Sequence, residues 1–123
     1  MIGRLHEVVV DCHDPARLAR FWQQVLGGRL EPHGLVWTGL RLPQPGGGYL
    51  GFQRVPEAKT VKNRLHLDVE VDDLEAAAVV CVGLGARLIG EPQVDELGTF
   101  IVLADPEGNE FCLVKVSAAG AGS

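Results

Sequence analysis

The chain has 123 residues, 46% of them hydrophobic and 22% charged, with a formal net charge of −5 at pH 7. That is long enough for a single core and too apolar for a disordered chain. It holds no basic run able to track a phosphate backbone and no apolar stretch near the roughly 18–20 residues of a membrane span, so neither nucleic acid nor a membrane is an expected partner.

Met1-Ile2-Gly3-Arg4 leads straight into a patterned strand, which is not how a secretory signal peptide begins. Three cysteines, Cys12, Cys81 and Cys112, are an odd number without a close pair. A disulfide framework and a CxxC knuckle are both excluded, and a reducing cytoplasm is the expected location.

In chain order, residues 5–11 are valine-rich and predict a strand. Asp14-Pro15 supplies an N-cap followed by proline at the first helical position. Leu18, Phe21, Trp22, Val25 and Leu26 then make the stripe of an amphipathic helix, and Gly27 ends it. Short strands are expected over 29–31, 35–42 and 49–55. A turn cluster of prolines and glycines at 43–48 separates the last two. Residues 56–63 read as a hinge.

The second half repeats the plan. Residues 65–71 predict a strand, and Asp72 with Glu75 reads as a capping box. Leu74, Ala77, Ala78, Cys81 and Leu84 form the helix stripe, with Gly85 at its end. Strands over 86–90, 99–103 and 110–116 follow, the last two joined by a tight turn at Asp105-Pro106-Glu107-Gly108-Asn109. Residues 118–123 are expected to be a frayed tail.

The repetition is visible in the letters. Leu5-His6-Glu7-Val8-Val9-Val10 returns as Leu65-His66-Leu67-Asp68-Val69-Glu70, and Gly27-Gly28-Arg29-Leu30 returns as Gly85-Ala86-Arg87-Leu88. Two copies are too few for a solenoid, which needs about three. They predict an α+β fold of two βαβββ modules, at 4–55 and 64–116 of a single domain over 1–117, with a curved eight-strand sheet around a cleft. His6 and His66 occupy equivalent positions and could converge on one site.

The paired modules, the Asp-Pro-x-x-Leu-x-x-Phe-Trp helix, and Ala104 through Asn109 before the last strand resemble the vicinal oxygen chelate superfamily. That group includes glyoxalase I, extradiol dioxygenases, fosfomycin-resistance enzymes and bleomycin-binding proteins. Residues 11–15, 59–68 and 105–112 look most like its glyoxalase-like subgroup. The resemblance implies four metal ligands from the first and last strands of each module, which fall here on His6, Gln53, His66 and Cys112. The histidines match. Gln53 and Cys112 stand where glutamates are usual.

An isomerase of this type needs a carboxylate that can take a carbon-bound proton, and an extradiol site needs two histidines and a carboxylate for iron. Asp68 and Glu110 lie two residues from His66 and Cys112, on the same strand faces, and either could supply an oxygen. His6, His66 and Cys112, with Glu110, would alternatively suit a divalent ion such as zinc, nickel, manganese or iron. The plainer reading, and the preferred one, is two histidines lining a cavity without metal.

Trp37 and Tyr49 are expected as aromatic walls of the same cavity. Arg54, Lys59, Lys62 and Arg64 read first as a solvated linker and second as an anion clamp. Trp22, Phe21, Phe52, Phe111 and Cys81 read as core, and His13 and His33 as surface loop residues. The resulting expectation is a small-molecule binder lacking the standard metal set, assembled as a homodimer. The alternative is a metal-dependent lyase, isomerase or dioxygenase using His6 and His66.

Overall fold

The computed structural model describes residues 1–43 and 47–117. Part of the expected turn at 43–48 and the whole expected tail at 118–123 lie outside the described residues. The chain divides into two compact units, Met1–Ala58 and Lys59–Ser123.

In the first unit, β1 (Val8–Cys12) is followed by α1 (Pro15–Leu26) and by β2 (Arg29–His33), β3 (Trp37–Arg41) and β4 (Tyr49–Arg54). The sheet order is β1-β4-β3-β2, with β1 parallel to β4 and the other pairs antiparallel. α1 forms where its signals predict. The Asp14 side chain accepts a hydrogen bond from the Arg17 backbone N–H at 3.1 Å, and Pro15 opens the helix. Gly27 closes it at φ 76°, a conformation costly for any residue with a Cβ.

The apolar stripe of α1 buries Leu18, Phe21 and Trp22. Each contributes about 1.5–3 kcal/mol by leaving water. Phe21 and Trp22 meet edge to face at 5.3 Å. The sheet answers with Thr38, Leu40, Leu50 and Phe52, all buried on one face. Its other face carries Trp37, Gly39, Tyr49, Gly51 and Gln53 in cross-strand register.

The second unit runs β5 (Asp68–Glu70), α2 (Leu74–Gly83), β6 (Arg87–Leu88), β7 (Gln93–Asp95), β8 (Gly98–Ala104) and β9 (Glu110–Val116). Its sheet order is β5-β9-β8-β6, with β7 pairing on β8. The eight expected strands are thus present in two sheets, and β7 is a ninth. It was not foreseen because Gln93-Val94-Asp95 is too short and too polar to show an alternating pattern, and only its pairing with Phe100, Thr99 and Gly98 makes it a strand.

Four local expectations are corrected. The first strand begins at Val8, not Leu5, because its parallel partner β4 begins near Leu50 and offers no ladder to earlier residues. The equivalent strand begins at Asp68, which pairs with Cys112, so His6 and His66 both precede their strands. The N-cap of α2 is Asp73, whose side chain accepts from the Ala76 backbone N–H at 3.0 Å, and not Asp72. His33 is the last residue of β2 and not a loop residue, although it is exposed.

Strand alternation sorts the second sheet. Ile101, Leu103, Phe111 and Leu113 are buried on the α2 side, where Ala78 and Cys81 join them. Phe100, Val102, Cys112 and Val114 occupy the opposite face.

Candidate functional site

That opposite face is the wall of a cavity of about 490 Å³ in the second unit. Phe100, Val102 and Val114 give it an apolar floor. His66, Asp68, Glu110 and Cys112 stand along one side. Four of the residues singled out from sequence are therefore brought together, and strand pairing explains how. Asp68 and Cys112 are direct partners in the parallel pair β5·β9, so their side chains emerge side by side. The Cys112 backbone N–H donates to the Leu67 carbonyl at 2.9 Å and holds His66 beside them.

The chemistry of these groups differs. His66 Nδ1 lies 3.0 Å from Asp68 Oδ1. The Cys112 thiol is pushed above its ordinary value, first by burial and then by the neighbouring Asp68 charge, with Lys62 opposing. A thiol so placed is a poor nucleophile by itself. His66, Asp68 and Cys112 nevertheless present a nitrogen, an oxygen and a sulfur all within 4.8 Å of one another, a donor set fit for a borderline-soft cation.

Glu110 is engaged elsewhere. It pairs with Lys59 at 3.1 Å and accepts from the Asn63 backbone N–H at 3.1 Å. Burial opposes its charge, but these hydrogen bonds prevail and hold its carboxyl below the ordinary value. Asn63 Nδ2 also donates to Asn109 Oδ1 at 3.0 Å. Lys59 and Asn63 therefore strap the start of the unit to β9, a role the sequence reading of an open cationic linker did not anticipate. Lys62 alone of the four linker cations lines this cavity. Arg54 lies in the first unit, beside His13, whose Nε2 sits 3.1 Å from the Glu57 carbonyl.

Asp105 sets the turn before β9. It is buried, accepts from the backbone N–H of Glu107 at 2.9 Å and of Asn109 at 3.0 Å, and binds Asn109 Nδ2. The turn fixes the register in which Glu110 and Cys112 enter the strand.

The first unit holds the remaining predicted residues. His6, Trp37 and Tyr49 line an open depression of about 750 Å³, while Gln53 is exposed outside it. Trp37 lies diagonally over Gly51, and Tyr49 diagonally over Gly39. A Cβ at either glycine would collide with the ring above it. Both rings are thereby laid flat on the sheet, and the Arg41 guanidinium sits 5.0 Å from the Tyr49 ring. The two glycines are functional neighbours that sequence reading passed over, although their position two residues from Trp37 and Tyr49 on alternating strands was the available signal.

Residues 7–114 match the family described as the glyoxalase-like domain. The chain belongs to the glyoxalase-like domain family. Its fold is shared by a glyoxalase/bleomycin resistance protein/dioxygenase family enzyme from Burkholderia phytofirmans, at TM-score 0.76 and 24% identity, covering 94% of this chain and all of that one. The fosfomycin resistance protein FosX from Mesorhizobium loti aligns at TM-score 0.70 and 18% identity over 100% of this chain and 99% of its own. A mutant FosX from Listeria monocytogenes, in complex with Mn(II) and 1S,2S-dihydroxypropylphosphonic acid, aligns at TM-score 0.76 and 14% identity over 98% of this chain and 95% of its own. In sequence, the candidate glyoxylase CFP32 of Mycobacterium bovis is 33% identical over 76 residues. That match takes in 61% of this glyoxalase-like chain but only 29% of CFP32, so the chain spans under a third of that relative.

Proposed function

We propose that this glyoxalase-like chain binds a small molecule with an apolar body in the cavity of its second unit. The observation that carries the reading is the division of one sheet into two faces. Leu103 and Leu113 are buried on the α2 side, while Phe100, Val102 and Val114 are left to floor a 490 Å³ space with a polar cluster at its side. An apolar pocket with a few convergent polar groups is the usual form of a ligand site. Gln53 and Cys112, in place of two glutamates, support binding without the standard carboxylate-bearing metal set.

Titration with the fluorescent probe 8-anilinonaphthalene-1-sulfonate tests this. Saturable enhancement in the parent, clearly reduced in Val102→Trp, is the expected result, because the indole takes up part of the space over the apolar face. Equal enhancement in both proteins would contradict it.

A second reading, a metal-dependent lyase, isomerase or dioxygenase, has one specific support: the His66–Asp68–Cys112 cluster. With an ion bound, the metal would supply Lewis-acid polarisation of a substrate oxygen. His66, Asp68 and Cys112 would hold it, and Lys62 would offer a positive charge at the cavity wall.

Homodimeric assembly and a cytoplasmic location belong to the same proposal. Val79, Val80 and Val82 leave α2 apolar on its exposed side, which supports a subunit contact. Three free cysteines support a reducing compartment, and no helix among the described residues is long and apolar enough to cross a membrane. Light scattering across micromolar concentrations checks the dimer, and a monomer throughout would contradict it.

A further inference from the structure

We propose that the open face of the first unit's sheet is a separate binding site for a flat aromatic ring bearing a carboxylate. Trp37 and Tyr49 form its floor, and Arg41 is its anion contact. The site uses no residue of the second unit's cavity and goes beyond that reading.

The argument starts from strand register. Three cross-strand pairs follow one another on this face of β3 and β4: Trp37 with Gln53, Gly39 with Gly51, and Arg41 with Tyr49. The central pair has no side chains, yet both glycines are buried. The aromatic rings are what cover them. A Cβ at Gly51 would strike the six-membered ring of Trp37, and one at Gly39 would strike the Tyr49 hydroxyl. The two rings thus reach inward from opposite ends of the strands and meet over the glycine pair.

A ring laid flat on backbone keeps its other face for stacking. Trp37 is only half-buried, as this requires. An offset planar ring suits that face, because the quadrupoles of the two π systems then attract. Successive pairs on one face of a strand lie about 6–7 Å apart. A ligand ring over Gly39 and Gly51 therefore carries its substituent to the Arg41–Tyr49 pair.

Charge selects the substituent. Glu31 lies 2.9 Å from the Arg29 guanidinium and 3.0 Å from that of Arg41, so two positive groups share one carboxylate and one positive charge is in excess. The Arg41 guanidinium also sits 5.0 Å from the Tyr49 ring centroid. Held by a carboxylate on one side and a ring beneath, it is positioned for a second carboxylate. Glu7 lines the same depression and opposes an anion, so the ring must supply part of the affinity.

Titration of nitrogen-15-labelled protein with 2-naphthoate tests the proposal, read at the Trp37 indole N–H and the Gly39 and Gly51 amides. Saturable shifts are expected there, with the buried Trp22 indole nearly still. Flat but uncharged 2-naphthalenemethanol and charged but non-planar cyclohexanecarboxylate should both bind more weakly. Trp37→Leu should weaken 2-naphthoate by about tenfold, the upper end for one aromatic pair. Arg41→Gln should erase the preference for the acid over the alcohol while leaving the alcohol's binding unchanged. Glu7→Gln should strengthen the acid. Circular dichroism of each variant confirms that loss of binding is not loss of fold. No saturable shift, an acid bound no better than the alcohol, or an acid preference that survives Arg41→Gln would each overturn the site. A Trp37 resonance that moves with protein concentration and not with the probe would also overturn it, by showing a second copy on this face. Val102→Trp should leave the Trp37 response intact, so failure of the second unit's cavity and failure of this face are separately visible.

Discussion

His66 Nδ1 lies 3.0 Å from Asp68 Oδ1 at the edge strand of the second sheet, one strand away from Cys112. An ionised carboxylate only accepts, so in the neutral imidazole Nδ1 carries the hydrogen and Nε2 is left as an acceptor or ligand. Long-range nitrogen–proton NMR of the metal-free protein should show the Nδ1-protonated tautomer of His66 in the parent. That preference should weaken in Asp68→Ala. A dominant Nε2-protonated ring in the parent would contradict the pairing.

Asp105→Ala should be among the most damaging single changes in the second unit. It leaves the backbone N–H groups of Glu107 and Asn109 and the Asn109 amide without their buried acceptor. A cost of about 3 kcal/mol is expected, in keeping with several hydrogen bonds to one charged group. Urea denaturation measures it, and a loss below about 1 kcal/mol would show that the turn is held by other means.

Gly51→Ala should lift the Trp37 ring from the first sheet, because the new methyl occupies the space under it. Trp22 is buried as part of the α1 stripe and should not respond. A red shift in tryptophan emission with an unchanged far-ultraviolet spectrum is predicted. An unaltered emission maximum would mean that the ring does not rest on Gly51.

Arg41, followed by Arg29, hydrogen-bonds the Glu31 side chain and lowers its carboxyl from 4.5 to about 2. A depressed carboxyl contributes stability that is present above 4.5 and is lost as pH falls toward about 2. In Glu31→Gln that part of the pH dependence should vanish, so denaturation midpoints measured across the window should fall less steeply than in the parent. The pair is on the surface, so the effect should be small and should shrink further in salt. Parallel slopes for the two proteins would contradict it.

The plan of the fold was legible because its signals are local. Asp14-Pro15 and the stripe at Leu18, Phe21 and Trp22 specify α1 without reference to anything distant. The echo of Leu5-His6 in Leu65-His66 exposes the repeat. Strand ends were less legible, since β1 starts where β4 offers a partner and not where valines begin. In the site, the two-residue spacing of Asp68 from His66 and of Glu110 from Cys112 was readable, and all four line the second unit's cavity. What alternation could not show was that Lys59 and Asn63 occupy Glu110, or that Asp68 faces Cys112 across the parallel pair, because both facts depend on tertiary pairing.

On the proposed function, ligand enters the cavity of the second unit over the Phe100, Val102 and Val114 face. Methyl NMR during titration with 8-anilinonaphthalene-1-sulfonate measures this most directly. Saturable shifts of the Val102 and Val114 methyls are expected, with Leu103 and Leu113 on the buried face nearly still. Saturable shifts confined to Val79, Val80 and Val82 of α2, with Val102 and Val114 unmoved, would contradict it.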